Sequence, residues 1–132
     1  MTNDRFTVGM ELPPLQIEPI TRKTLALFAG ASGDHTATHI DIDAARAKGR
    51  EDVIVHGMLT MAYLGRLLTS LVAQEKIRRF NARFVAMVYP HAELICGGRV
   101  TSIADGQATL DLRVTLADGT VVLRGDALID IR

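Results

Sequence analysis

The stretch His56-Gly57-Met58-Leu59-Thr60-Met61-Ala62-Tyr63-Leu64-Gly65-Arg66-Leu67-Leu68-Thr69-Ser70-Leu71-Val72-Ala73 decides the fold. Met58, Leu59, Met61, Ala62, Leu64, Leu67, Leu68, Leu71 and Val72 wrap nearly the whole circumference of a helix. Thr60, Tyr63, Arg66 and Ser70 leave only a narrow polar stripe. A helix that is apolar all round has to be enclosed by protein. What encloses it lies downstream.

Beyond Gln74 the apolar period changes to two, the period of a strand. Phe80, Ala82, Phe84 and Ala86 alternate with Asn81, Arg83, Val85 and Met87, and Pro90 ends this strand. A second strand runs from about Glu93 to Ile103, where Gly97 and Gly98 suggest a bulge or a close approach. After a turn at Ala104-Asp105-Gly106, Ala108, Leu110, Leu112, Val114 and Leu116 alternate with polar partners. Asp118-Gly119 is a hairpin turn into a last strand carrying Val121, Leu123, Ala127, Ile129 and Ile131. These strands read as an antiparallel meander. The economical architecture is α+β, a curved antiparallel sheet wrapped around the central helix. Such a sheet leaves its edges open, and pairing two copies edge to edge would cover them.

Upstream, Pro13 and Pro14 punctuate an extended arm, and Gln16, Ile17, Glu18 and Ile20 suit a short strand. Thr21 reads as the N-cap of a helix carrying Leu25, Leu27, Phe28 and Ala31, broken by Gly30, Ser32 and Gly33. Ser32 to Asp41 has no clean period and reads as an ordered loop. Asp43 is placed to cap a short helix through Ala44, Ala45, Arg46 and Ala47, with Gly49 as its stop.

With 132 residues the chain matches one domain, 1–132, of a size that buries roughly two-thirds of its unfolded surface. Fifteen basic residues balance fifteen acidic ones. That balance argues against nucleic-acid binding by bulk charge and mildly favours self-association. Cys96 is the only cysteine, so an intrachain disulfide and a cysteine zinc cluster are excluded. Residues 1–10 carry no apolar signal core, and the apolar run from Val53 to Gly65 is too short to span a bilayer. A soluble, cytoplasmic protein is expected.

Three of the four histidines lie between residues 35 and 56. Asp34 and His39 stand five residues apart in the loop, where both side chains can turn toward one point. A carboxylate beside an imidazole suits proton transfer to and from water. The residue types alone leave a second reading, an Asp cap and a structural His. His56-Gly57-Met58 opens the buried helix, where backbone N–H groups are unpaired at the positive end of the dipole. Gly57 would let a substrate oxygen approach those donors, and His56 could equally fill the helix start. His35 and His39 have an i, i+4 spacing, but the helical context and the glutamate of a metalloprotease motif are missing, so no metal is expected. His91 reads as solvated and Cys96 as a buried, inert thiol. The strand arginines Arg78, Arg79, Arg83, Arg99, Arg113 and Arg124 read mostly as outward-facing, with a few available for phosphate contact.

Ala31-Ser32-Gly33-Asp34, then His39 and Asp41, then His56-Gly57-Met58-Leu59, resemble the MaoC-like dehydratases, which include the (R)-specific enoyl-CoA hydratases. The similarity runs from about Val8 onward, and its specific part is residues 28–62. The family signature has Gly-Asp, a variable residue, Asn-Pro, an aliphatic residue and His. Here Gly33, Asp34 and His39 stand in the matching places, and Thr36-Ala37-Thr38 replaces Asn-Pro-aliphatic.

The resemblance implies a hot-dog fold, whose dimer joins two sheets into one, and an acyl-thioester substrate. It implies reversible addition of water to a trans-2-enoyl-CoA, giving a 3-hydroxyacyl-CoA of R configuration. By position, Asp34 and His39 would be the catalytic pair. Gly57 and Met58 would hold the thioester oxygen through their N–H groups, with His56 beside them. No cofactor is implied beyond the coenzyme A of the substrate. The expected partners are an acyl-CoA and a second copy in a homodimer or larger homo-oligomer. Two alternatives share the fold: an acyl-CoA thioesterase, and a subunit of a heteromeric dehydratase paired with a related hot-dog chain.

Overall fold

Burial of alternate residues along three long strands organises the molecule. In the computed structural model, which describes residues 5–132, five antiparallel strands form one sheet. They are β1 (Leu15–Gln16), β2 (Ile77–Phe84), β3 (Leu94–Ala104), β4 (Gln107–Leu116) and β5 (Val121–Asp130). Three α-helices precede β2: α1 (Arg22–Ser32), α2 (Ile42–Ala47) and α3 (Gly57–Leu71). On β4, Ala108, Leu110, Leu112 and Val114 are buried while Asp111 is exposed, as its alternation demands. Leu123, Ala127 and Ile129 of β5 join them, and Leu64, Leu67 and Leu68 of α3 pack into the same core. Burying each leucine contributes roughly 1.5–3 kcal/mol. The result is the hot-dog arrangement of a sheet around a central helix.

The strand order is β1-β3-β4-β5-β2, so the meander covers only β3, β4 and β5. β2 instead pairs with β5, from Ile77 opposite Ile129 to Phe84 opposite Leu123. The reason is the connection: residues 85–93 are too long for a hairpin loop of about 2–5 residues. This segment carries the chain from the β2 edge to the far side of the sheet, where β3 meets β1. The N-terminal arm also lies against β3, through Gly9 N–H to Val100 O and Leu12 N–H to Gly98 O, both 2.8 Å. A Cβ on Gly98 would collide with the Asp111 carbonyl, so this glycine serves a close approach. The irregularity of β3 falls later, between Val100 and Ser102.

Three helix details differ from expectation. The cap of α2 is Asp41, whose Oδ1 accepts from the N–H of Asp43 and Ala44; Asp43 itself sits in the first turn. In α3, Thr60 is 3% exposed and belongs to the interior rather than to a polar stripe. Enclosure of α3 is incomplete as well, because Met58 is 56% exposed. No helix among the described residues is long and apolar enough to cross a membrane.

Candidate active site

Helix α1 ends at Gly33, whose left-handed φ of 76° turns the chain out of the helix and places Asp34 next. The Asp34 carboxylate is held from one side. Its Oδ1 accepts from the Thr36 hydroxyl at 2.7 Å and from the Thr36 N–H at 3.2 Å. These bonds, the hydroxyl's first, hold the Asp34 pKa below the ordinary carboxylate value, with a smaller contribution from His39. Thr36 thus does local work at the place where the resembling family has asparagine. The next residues, Ala37–His39, form a single 3-10 turn.

That turn is stitched to the segment leading into α3. Ile54 N–H donates to Thr38 O at 3.0 Å, and His39 Nδ1 lies 2.7 Å from Ile54 O. A carbonyl only accepts, so His39 Nδ1 carries a proton, and in the neutral ring Nε2 is then the acceptor. Nε2 lies 3.8 Å from Asp34 Oδ2. This is too long for a direct hydrogen bond, and one oxygen placed between the two atoms reaches both. The Asp34 side chain is 43% exposed and that of His39 13%.

His56 sits behind this pair. It is fully buried, and its Nε2–H donates to the backbone carbonyl of Asp34 at 3.2 Å. Its ring stacks on His39 with centroids 4.0 Å apart and planes 20° apart, and Phe28 meets it edge-on at 4.9 Å. Burial pushes the His56 pKa below the ordinary histidine value. Asp34, His39 and His56 offer ligand-type atoms within 4.8 Å of one another. A shared ion would need both imidazole lone pairs to converge on it at about 2.0–2.1 Å. Those lone pairs lie in the ring planes, and nearly parallel stacked rings point them side by side. The arrangement suits a stack better than a metal ligand set.

Helix α3 begins beside His39. Leu59 and Thr60 donate to His56 O at 3.0 and 3.3 Å, while no group among the described residues accepts from the N–H of Gly57 or Met58. His39, Ile54, Gly57, Thr60, Phe84 and Met87 are among the residues lining a cleft of about 340 Å³. Phe84 roofs it: a Cβ on Gly57 would lie 3.0 Å from the ring's Cε1. The structure therefore brings Asp34 beside His39, and His39 and Gly57 to one cleft. Met58 starts the same helix with its side chain exposed, and His56 is held in the interior, outside the cleft lining.

Three contributors escaped the sequence. Thr36 had a usable signal, the Asp-x-Thr spacing of a side-chain-to-backbone turn. The Ile54 carbonyl had none, because every residue carries one. Phe84 was read as one of the alternating residues of its strand, but its position over Gly57 depends on long-range pairing. His91, with a φ of 72°, is exposed, and Cys96 is fully buried with its thiol pKa pushed up to about 11 by desolvation.

The chain resembles known proteins over most of its length. The peroxisomal multifunctional enzyme type 2 of Mus musculus is 30% identical over 96 residues, 67% of this chain and 13% of that enzyme. The 3-hydroxyacyl-thioester dehydratase Z of Mycobacterium tuberculosis is 44% identical over 48 residues, 36% of this chain and 32% of that protein. Among solved structures, the (R)-hydratase from A. caviae involved in PHA biosynthesis superposes with a TM-score of 0.82 at 25% identity, covering 98% of this chain and 99% of that one. The chain thus matches only a small part of the mouse enzyme and nearly all of the A. caviae hydratase. The MaoC like domain family matches residues 6–120, which contain the loop, the helix start and most of the sheet described above, and the chain belongs to that family.

Proposed function

We propose that this chain is an acyl-thioester hydratase/dehydratase that adds water reversibly to a trans-2-enoyl-CoA and gives the (R)-3-hydroxyacyl-CoA. The observation that carries the reading is the pair of acceptors, Asp34 Oδ2 and His39 Nε2, 3.8 Å apart beside an apolar cleft and a helix start with free N–H groups. Two acceptors facing one another select a donor of two protons, and water is that donor.

The reaction we propose uses this geometry as follows. The thioester oxygen is held by the Gly57 N–H, with Met58 beside it, at the positive end of α3. Polarisation makes C3 of the enoyl group electrophilic. Water between Asp34 and His39 loses a proton to the pair as its oxygen bonds to C3. Charge moves through the double bond to the thioester oxygen, where the helix start stabilises the enolate. The proton held by the pair then passes to C2. One water supplies both the hydroxyl and the hydrogen, so the step balances. Dehydration is its reverse.

The same reading includes a homodimer formed along the β2 edge. Phe84, Val85 and Met87 are 54%, 50% and 47% exposed there, and Met58 is exposed at the start of α3. A second copy would cover this apolar rim and lengthen the cleft for an acyl chain. A panel of linear and ring-bearing enoyl-CoAs tests the function. Hydration lowers the absorbance of the conjugated thioester without releasing thiol. Release of free thiol with the conjugation intact would instead identify a thioesterase.

A further inference from the structure

We infer that His56 is a positioning residue for the Asp34–His39 pair, acting through its hydrogen bond to the Asp34 backbone and its stack on the His39 ring rather than by touching the acyl-thioester. The inference rests on the function proposed above. Three observations converge on it.

First, the His56 ring is fully buried, so it presents no surface to a substrate. Second, its two contacts go to the two members of the pair. Nε2–H holds the Asp34 carbonyl at 3.2 Å, and the ring face covers His39 at 4.0 Å. Third, its Nδ1 is buried with no hydrogen-bond partner among the described residues. An unpaired buried nitrogen is costly, and a residue chosen for packing alone would avoid it. An imidazole at this position is explained by the combination it supplies: a flat ring for stacking and an N–H at its far end.

The consequence for His39 is geometric. Its Nδ1–H is fixed by Ile54 O and one ring face by His56, which leaves Nε2 aimed at Asp34. Asp34 is fixed by Thr36 at its carboxylate and by His56 at its backbone. Removing His56 frees one restraint on each partner at once.

Two substitutions separate the two contacts. His56→Phe keeps a flat ring and loses the N–H, while His56→Gln keeps an N–H and loses the ring. Each is assayed on the whole protein with a trans-2-enoyl-CoA, below both melting temperatures and per folded molecule. Misplacement of reacting groups by an ångström costs up to about 10²-fold, so kcat should fall by roughly 10- to 10²-fold with KM within about twofold of wild type. A rise in KM, alone or with a fall in kcat, would overturn the inference by showing that His56 meets the substrate. Unchanged kcat in both variants would overturn it by reducing His56 to a packing residue. Nitrogen NMR of the wild-type protein adds an arm independent of folding of the variants and of the activity. His56 should be neutral at pH 7 with its proton on Nε2; an Nε2 without a proton would exclude the bond to Asp34 and refute the inference. Wild-type protein lacking hydration activity altogether would count against the proposed function, while the NMR arm still reads the arrangement.

Discussion

Gly57→Val sets the helix-start chemistry against the helix-start packing. The first added carbon would lie 3.0, 3.1 and 3.3 Å from three ring carbons of Phe84, and two methyl groups would project further into the cleft. The three close atoms belong to the far end of the Phe84 side chain, and the ring has to give by only a few tenths of an ångström. Gly57 has ordinary helical backbone, and valine is a slightly better helix former than glycine. The melting temperature should therefore change little. Catalysis should not be spared, because the added carbons occupy the space where the thioester oxygen meets the Gly57 N–H. Loss of one such donor removes about 2.7–4 kcal/mol of transition-state stabilisation, a fall of roughly 10²–10³ in kcat. The assay is enoyl-CoA hydration and thermal melting on the same sample. A large drop in melting temperature with normal turnover per folded molecule would refute the reasoning and assign Gly57 to packing alone.

Other consequences follow from single contacts. Thr36→Val removes the largest influence lowering the Asp34 pKa, so the acid limb of kcat/KM that reports Asp34 should move to higher pH; an unmoved limb would show that the 2.7 Å hydroxyl bond does not form. His56 has a depressed pKa in the folded state, so the unfolded chain binds its proton first as pH falls through about 6.5. Its contribution to stability is therefore full above that pH and is lost on acidification toward its folded pKa; in denaturant melts, stability should fall less steeply with acidification in His56→Gln than in wild type, and parallel pH dependences would contradict this. Leu64→Ala, fully buried in α3, should cost about 2–5 kcal/mol by denaturant unfolding, and a loss below about 1 kcal/mol would place that helix outside the core. Light scattering at micromolar concentration should find a dimer or larger, and a monodisperse monomer would remove the β2 edge as an interface.

Much of the fold was legible because its signals are local. The alternation of Ala108 to Leu116 and the Asp118-Gly119 turn place β4 and β5 from neighbouring residues alone. The partner of β2 was not legible. Its alternation shows which side faces in, but pairing with β5 depends on contacts about fifty residues away in sequence, such as Phe80 with Ala127. Asp41 and Asp43 look alike as caps, and only the backbone decides that Asp41 reaches the free N–H groups. Thr60 was misplaced because a hydroxyl reads as polar, although its short side chain fits a buried helix face. In the site, Asp34, His39 and Gly57 stood out by residue type and spacing. His56 stood out by its place at the helix start, which left open substrate contact or a filling role; its stacking on His39 has no local signal, because it depends on residues seventeen positions apart.

Turnover of Asp34→Asn in enoyl-CoA hydration tests the central claim most directly. Asparagine keeps the size of the side chain and can still accept from Thr36, so the fold and the cleft should persist. The negative charge and proton-accepting oxygen facing His39 Nε2 are lost. With general acid–base catalysis by this pair, kcat per folded molecule falls by at least ~10²-fold at an unchanged melting temperature. Near wild-type turnover by the variant would contradict the account.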